Sequence, residues 1–212
     1  MEAVSYAPHG FPDVGLMGPD IYLFSAYKTY GPHQGLMVIR RALGQQLPNQ
    51  GHVFNGDVLH KRFTPAGPDH AQIAACAGMA DYIDALADHH GILGAANARA
   101  AGVHDLMRLH ETRLLQPLLD HIASRNALRL LGPGQAGLRA PTVAIDTGQD
   151  AADLAARLAA HGVMAGGGDF YAGRALRGMG MDPQRGVLRL SFVHYTTQAD
   201  MDRLMTALDE VL

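Results

Sequence analysis

Apolar and polar positions divide the chain into three stretches with different periodicities. In residues 1–65 short apolar runs lie between Gly and Pro residues, and Ile21–Ser25 and Leu36–Ile39 are predicted to be buried strands. Residues 66–125 repeat apolar side chains every three or four positions, which predicts helices. From residue 126 to residue 212 strand and helix patterns alternate. The sequence therefore predicts an α/β protein in three parts, 1–65, 66–125 and 126–212.

The middle part contains two apolar stripes at helical spacing. Five residues form each stripe: Ile73, Cys76, Ala80, Ile83 and Ala87 in the first, and Met107, His110, Leu114, Leu118 and Ile122 in the second. Pro117 lies inside the second stripe. A proline removes one backbone hydrogen bond of a helix, so we expect a kink or a break at this position.

The last part carries the clearest local signals. Three strands are predicted, at Ala127–Leu131, Thr142–Ile145 and Val187–Val193. Asp150 is expected to cap one helix, and Thr197 with Asp200 forms a capping-box pattern at the start of the last helix. The motif Gly132-Pro-Gly-Gln-Ala-Gly137 resembles a dinucleotide fingerprint, but it lies between two predicted strands and is interpreted as a hairpin loop.

Composition and charge narrow the classes of partner. The chain has 212 residues, 48% of them hydrophobic, and a net charge of −3, which is typical of a folded protein without a nucleic-acid-binding surface. Cys76 is the single cysteine, which fits a reducing compartment. Residues 1–10 lack the pattern of a secretion signal, and no apolar run has the length of a membrane span. A cytoplasmic protein without nucleic-acid or membrane partners is expected.

Lysine is rare in this chain, and only Lys28 and Lys61 occur. The segment Asp20–Gly35 delivers Ser25, Tyr27 and Lys28 from a predicted buried strand into a turn with Gly and Pro. Burial near apolar neighbours is expected to lower the pKa of the Lys28 amine, and the neutral amine is the form that attacks an aldehyde. The alternative is a lysine at a strand end that reaches solvent.

The stretch Ser25-Ala-Tyr-Lys28-Thr-Tyr-Gly-Pro32 resembles the lysine motif of class V aminotransferases and cysteine desulfurases, Ser-x-(His/Tyr)-Lys-x-x-Gly-Pro. The resemblance implies that Lys28 holds pyridoxal 5'-phosphate as an internal aldimine, and that Ser25 and Tyr27 contact the cofactor phosphate. It also implies a fold-type I transferase-like architecture. Residues 1–65 would be the tail of the large cofactor-binding domain, residues 66–125 connecting helices, and residues 126–212 a complete small carboxy-terminal α/β domain.

Three further roles follow from the same resemblance. Glu2 stands where relatives have an acid that pairs with the pyridine nitrogen, with a solvated terminal carboxylate as the alternative. Ser5 stands where a side chain contacts the ring oxygen. Arg189, in Gly186-Val-Leu-Arg-Leu-Ser-Phe-Val-His-Tyr195, matches the arginine that binds the substrate carboxylate, and the alternative is an arginine on the wet face of an edge strand. Asp169 is interpreted as a cap of the following helix.

The resemblance covers the carboxy-terminal half of such enzymes. The phosphate-binding turn and the group that stacks on the ring lie in the other half, so the chain is interpreted as a portion of a longer enzyme or as a non-catalytic fragment or interaction module. Gly67 falls where relatives present a threonine to the phosphate of the neighbouring subunit. This shared site implies a homodimer for the complete enzyme.

The resemblance leaves the reaction on an amino-acid substrate open among transamination, epimerisation and β-elimination. Desulfurases place a nucleophilic cysteine in the region that matches Gly166–Ala172, where this chain has none. Cys76 lies on a helical stripe and is interpreted as a packing residue. A cysteine desulfurase or selenocysteine lyase-like activity is therefore the less favoured alternative. No metal-binding spacing occurs among the histidines, so no metal site is predicted.

Overall fold

The computed structural model describes residues 3–64 and 66–212, so Glu2 lies outside the described residues. The chain divides into two compact units, Met1–Leu106 and Met107–Leu212, which are described separately below. In the described ranges no helix combines the length and the apolar character needed to cross a membrane.

The first unit contains a two-stranded antiparallel hairpin. After the short helix α1 (Val14–Met17), strand β1 (Ile21–Ser25) pairs with β2 (Gly35–Ile39), and helix α2 (Arg41–Gln46) follows. Tyr22 and Phe24 of β1 point into a small core, as the alternation predicts. The prediction of a buried β2 is wrong, because most of its residues are exposed within this unit.

Helix α2 is followed along the chain by α3 (His70–Ala75), α4 (Ala77–His89) and α5 (Ala96–Ala123). The first predicted stripe is wrong in phase. Ile73 and Ala80 are exposed, whereas Met79 is buried together with the predicted Ile83 and Ala87. The reason is that α3 ends and α4 begins around Cys76, so one continuous helical period does not run through both helices.

The second unit is built on a four-stranded antiparallel sheet. Its strands are β3 (Arg129–Leu131), β4 (Thr142–Asp146), β5 (Gly166–Gly168) and β6 (Val187–Ser191), in the spatial order β3-β4-β6-β5. The loop that contains Gly132 and Gly137 connects β3 to its antiparallel neighbour β4, which confirms the hairpin interpretation.

Helices α6 (Ala151–Ala160), α7 (Gly173–Gly178) and α8 (Gln198–Val211) complete this unit. Both predicted caps are confirmed. The Asp150 carboxylate accepts hydrogen bonds from the first turn of α6, and Thr197 and Asp200 form the capping box of α8. Helix α5 runs without a break through Pro117. Pro117 lies on an exposed side of that helix, where solvent can satisfy the carbonyl that the proline leaves without a partner.

One continuous apolar core fills the second unit. Residues from α5, the sheet, α6 and α8 meet in it, and the second predicted stripe contributes Leu114, Leu118 and Ile122. The remaining fully buried large side chains of this core are Leu115, Leu119, Ile145, Leu154, Leu158, Leu188 and Leu208. This core holds β6 rigidly, and β6 carries Arg189 on its opposite face.

Candidate active site

The lysine motif forms a tight turn at the end of β1. Residues Ala26–Lys28 form a 3-10 helix, and the Ala26 carbonyl accepts hydrogen bonds from the Thr29 amide at 2.7 Å and the Gly31 amide at 2.8 Å. The Ala26 amide donates to the Gln34 carbonyl at 2.8 Å. Because the amide and the carbonyl of Ala26 are both hydrogen-bonded within the turn, the backbone around Lys28 is well fixed.

Two side chains that the sequence analysis did not single out hold this turn in place. The hydroxyl of the buried Thr29 donates to the Ser25 carbonyl at 3.0 Å. Tyr30 has a left-handed backbone with φ 64°, its hydroxyl donates to the Pro8 carbonyl, and its ring lies 5.0 Å from that of Tyr82. The Thr29 bond spans only four residues, whereas the Tyr30 contacts join residues far apart in sequence, so no local pattern could reveal them.

The segment that contains Ser5 runs beside the lysine turn. The Ala3 amide donates to the Leu23 carbonyl at 2.8 Å, and farther along both segments the Pro8 carbonyl accepts from Tyr30. Between them the segment forms a turn, in which the Tyr6 and Ala7 amides donate to the Ala3 carbonyl, followed by a 3-10 helix at Ala7–His9. Ser5 is exposed and lies between these two contacts in the sequence.

The Lys28 side chain is exposed, so the predicted burial of the amine is wrong for the first unit. A turn of this kind directs the side chain outward, away from the small core beneath β1. The Lys28 amine lies 5.9 Å from the centre of the Tyr27 ring, and Tyr27 stacks on His33 with 4.9 Å between ring centres. Within the described residues no hydrogen bond or ion pair engages this amine.

Arg189 belongs to the second unit and projects from the face of β6 opposite the core. Its guanidinium carbon lies 3.9 Å from the centre of the Phe170 ring, which is a close cation–π contact. No carboxylate in the described part of the chain pairs with Arg189. The N–H groups at the edge of its guanidinium are therefore available to a ligand.

In the loop between β5 and α7, Asp169 has a different role from the predicted helix cap. The Asp169 carboxylate accepts a hydrogen bond from the Tyr171 amide at 3.1 Å and so stabilises a turn. Helix α7 begins later, at Gly173, without a side-chain cap, because Phe170 and Tyr171 adopt left-handed conformations before it. The capping role predicted for Asp169 is wrong.

Other candidate residues have structural surroundings. Cys76 is half-buried at the junction of α3 and α4, and its thiol donates to the Gln72 carbonyl at 3.4 Å. Gly67 has φ 64°, a left-handed conformation that suits glycine. Within residues 3–64 and 66–212 no group of three or more His, Cys, Asp or Glu side chains is arranged to bind a metal ion.

Comparison with known proteins defines the family. The Aminotransferase class-V family model matches residues 1–204, and the chain therefore belongs to the class V aminotransferase family. This confirms the resemblance first seen around Lys28. The chain is 29% identical to the aminotransferase-like protein FGM3 of Gibberella zeae over 100% of its own length and 51% of that protein. It is 28% identical to a probable cysteine desulfurase of Pseudomonas putida, over 96% of this chain and 48% of that protein.

Solved structures confirm the fold. The cysteine desulfurase CsdA of Escherichia coli superposes with a TM-score of 0.75 at 21% identity, over 99% of this chain and 50% of that one. A cysteine desulfurase of Thermococcus onnurineus gives a TM-score of 0.74 at 19% identity, over 99% of this chain and 51% of that one. The predicted fold-type I α/β architecture is therefore confirmed, and the chain spans about half the length of the relatives it matches.

Enzymes of the class V family depend on pyridoxal phosphate, and the residues of the lysine turn fit that cofactor in kind. The Lys28 amine, which has no hydrogen bond or ion pair among the described residues, stands at a hydrogen-bonded turn three residues after the half-buried Ser25. An amine of this type condenses with an aldehyde, and a hydroxyl donates to phosphate oxygens.

Proposed function

We propose that this chain is a portion of a pyridoxal-phosphate enzyme that acts on an amino acid. It would carry the cofactor lysine, Lys28, and the arginine that binds the substrate carboxylate, Arg189. The observation that carries the proposal is the Lys28 amine, which accepts or donates no hydrogen bond and forms no ion pair with a described residue. It stands on a hydrogen-bonded turn, in a chain whose residues 1–204 match the class V family. The alternative is a lysine at a strand end that reaches solvent, and the family match over residues 1–204 favours the cofactor role over it.

Each residue near the turn has a definite task in this proposal. Lys28 attaches the cofactor and then moves the substrate α-proton, first as base and then as acid. Ser25 and Tyr27 bind the phosphate, and Ser5 contacts the ring oxygen. Glu2, outside the described residues, would hold the ring nitrogen protonated. When bound, pyridoxal phosphate supplies an electron-accepting ring that makes the α-proton of an amino acid acidic.

Arg189 binds the substrate α-carboxylate in this proposal. A guanidinium offers two parallel N–H groups that match the two oxygens of a carboxylate, and charge assistance strengthens both bonds. The exposure of Arg189 and the lack of an internal carboxylate partner among the described residues support this role.

The proposal extends to the complete enzyme. There, polypeptide equivalent to the half of the relatives that this chain does not match would contribute the rest of the cofactor site. We propose a cytoplasmic homodimer, with the turn at Gly67 close to the neighbouring subunit's cofactor. The reaction begins with α-proton removal and leads to transamination, epimerisation or β-elimination.

Sulfur abstraction from cysteine is the second candidate reaction, because three of the similar proteins are named cysteine desulfurases. The chemistry of the chain favours it less. Gly166–Ala172 contains no cysteine, and the Cys76 thiol is hydrogen-bonded within its own helical junction. If Cys76 carried sulfur, Cys76→Ser would abolish sulfide release from cysteine. We expect that variant to keep whatever activity the enzyme has.

The two lysines of the chain provide a matched test of the proposal. Pyridoxal phosphate added to the purified chain should produce a visible absorbance band of a lysine adduct. We expect Lys28→Ala to abolish the band and Lys61→Ala, at the other exposed lysine, to keep it. A band that survives in Lys28→Ala and disappears in Lys61→Ala would overturn the assignment.

A further inference from the structure

We infer that Phe170 is a positioning residue for Arg189, and that its ring holds the guanidinium flat so that the N–H edge faces an incoming carboxylate. The inference rests on the proposed role of Arg189 and adds a second residue to the carboxylate site. It is carried by three features of the second unit: the stacked pair, the small residues around it and the backbone of the loop that carries Phe170.

The stacked pair has the geometry of a support. The guanidinium carbon of Arg189 lies 3.9 Å from the centre of the Phe170 ring, so the ring occupies one face of the guanidinium. Stacking on the face uses none of the N–H donors, which project from the edge. The Phe170 side chain also packs against the buried cluster of Leu176, Met181 and Val187. The ring is therefore a fixed platform rather than a loose surface group.

Small residues beside Arg189 make room for this platform. In the sheet, Arg189 pairs with Ala144 of β4 on one side and with Gly166 of β5 on the other. A Cβ atom added at Gly166 would lie 3.0 Å from two carbons of the Phe170 ring, closer than ordinary contact. A larger residue at either position would occupy the space that the ring and the guanidinium share.

The loop backbone is shaped to place the ring. Phe170 and Tyr171 follow Gly168 with φ values of 51° and 61°, and both are left-handed conformations that cost free energy for residues with a side chain. The turn bonds of Asp169 to the amides of Tyr171 and Ala172 hold this shape. The strained turn directs Phe170 under Arg189, whereas Tyr171 projects fully into solvent.

The consequence is a carboxylate site that is oriented before its ligand arrives. A free arginine side chain has several rotatable bonds, and each one that must be fixed on binding weakens the affinity. A guanidinium already held flat on Phe170 avoids part of that loss. The site would thus favour a carboxylate that approaches the edge of the guanidinium.

The test uses the full chain and acetate as the probe carboxylate. The side-chain Nε–H resonance of Arg189, identified by its loss in Arg189→Lys, is followed by NMR while acetate is added. We expect Phe170→Leu to remove the ring-current shift of this resonance. We also expect it to weaken acetate binding two- to fivefold, equivalent to ~0.5–1 kcal/mol for an exposed cation–π contact. Phe170→Tyr should restore both signals, and Tyr171→Leu, at the exposed neighbour, should leave them unchanged.

A second variant keeps the test valid if Phe170→Leu does not fold. Gly166→Ala crowds the ring without removing it, and we expect a changed Arg189 resonance with weaker acetate binding. Acetate binding and an Arg189 resonance that are the same in wild type, Phe170→Leu and Gly166→Ala would overturn the inference. The outcome is independent of pyridoxal phosphate, so a failure of cofactor attachment at Lys28 would count against the proposed function alone.

Discussion

The two units of this chain, the first with the lysine turn and the second with Arg189, differ in how completely they bury their apolar residues. In the second unit the inner faces of the sheet, α5, α6 and α8 share one core. In the first unit the hairpin buries Tyr22 and Phe24 on one side, while Leu23 and its cross-strand partner Met37 are each 40% exposed on the other. The carboxylate site therefore stands on a self-sufficient scaffold, and the lysine turn relies on local bracing.

Buried apolar area explains this difference in energetic terms. Each fully buried leucine contributes about 1.5–3 kcal/mol to folding relative to an exposed one. An exposed strand face contributes little of this, so the first unit depends more on hydrogen bonds such as those around Ala26 and Tyr30. In the complete enzyme we expect the exposed face of the hairpin to be covered by further polypeptide.

A truncation in the core of the second unit is expected to lower the free energy of unfolding more than any other change considered below. Leu154→Ala removes a side chain with 0% exposure and should lower the free energy of unfolding by about 2–5 kcal/mol. The equivalent truncation on the first unit's hairpin, Met37→Ala, affects a side chain that is 40% exposed and should cost within about 0.5 kcal/mol. Urea unfolding with hydrogen exchange resolved by unit measures both. Equal losses would contradict the comparison.

A close backbone approach provides the next prediction. In β5, a Cβ atom at Gly167 would lie 2.0 Å from the Ala151 carbonyl oxygen at the start of α6, so Gly167→Ala must move backbone. We expect a loss of about 1–3 kcal/mol in the stability of the second unit. Gly137→Ala is the matched control, because no atom lies within 4 Å of its added Cβ. If thermal unfolding gave the same midpoint for both variants, β5 would not be packed as described.

The smallest effect concerns the capping box of α8. Thr197→Ala removes a hydrogen bond to the helix start and should cost about 1 kcal/mol near neutral pH. Hydrogen bonds from the Thr197 side chain and backbone also lower the pKa of Asp200. The stability from this shift is complete above the unfolded carboxylate pKa of about 3.9 and is lost as the pH falls through the lower folded value.

The pH dependence of the stability lost in Thr197→Ala tests whether the ionised Asp200 carboxylate contributes to the capping box. The difference in urea midpoint between wild type and Thr197→Ala should shrink as the pH is lowered from neutrality to about 3. A difference that stays constant or grows in acid would show that Asp200 does not contribute through its ionised form.

Elements with strong local signals were predictable from the sequence. The caps at Asp150 and Thr197 and the alternation around Arg189 depend on neighbours in sequence, and the structure confirms them. The family motif also located the lysine turn. The phase of the first helical stripe was not predictable, because no proline marks the break at Cys76 and the nearby Gly78 lies inside α4.

The features that the sequence did not predict depend on contacts between residues distant in sequence. The bond from Tyr30 to Pro8 and the stacking of Arg189 on Phe170 join separate segments, and no periodicity encodes them. The exposure of Lys28 and β2 also could not be read from apolar runs. Such runs show which residues favour burial, but whether a covering layer is present depends on the rest of the fold.

The most direct test of the central claim is chemical trapping of the cofactor on this chain. After incubation with pyridoxal phosphate, borohydride reduction makes a lysine adduct permanent, and peptide mass spectrometry locates it. We predict modification at Lys28 in preference to Lys61, at a concentration of pyridoxal phosphate that leaves Lys61 largely unmodified. Equal modification of the two exposed lysines would show that the turn confers no special reactivity and would contradict the assignment of Lys28 as the cofactor lysine.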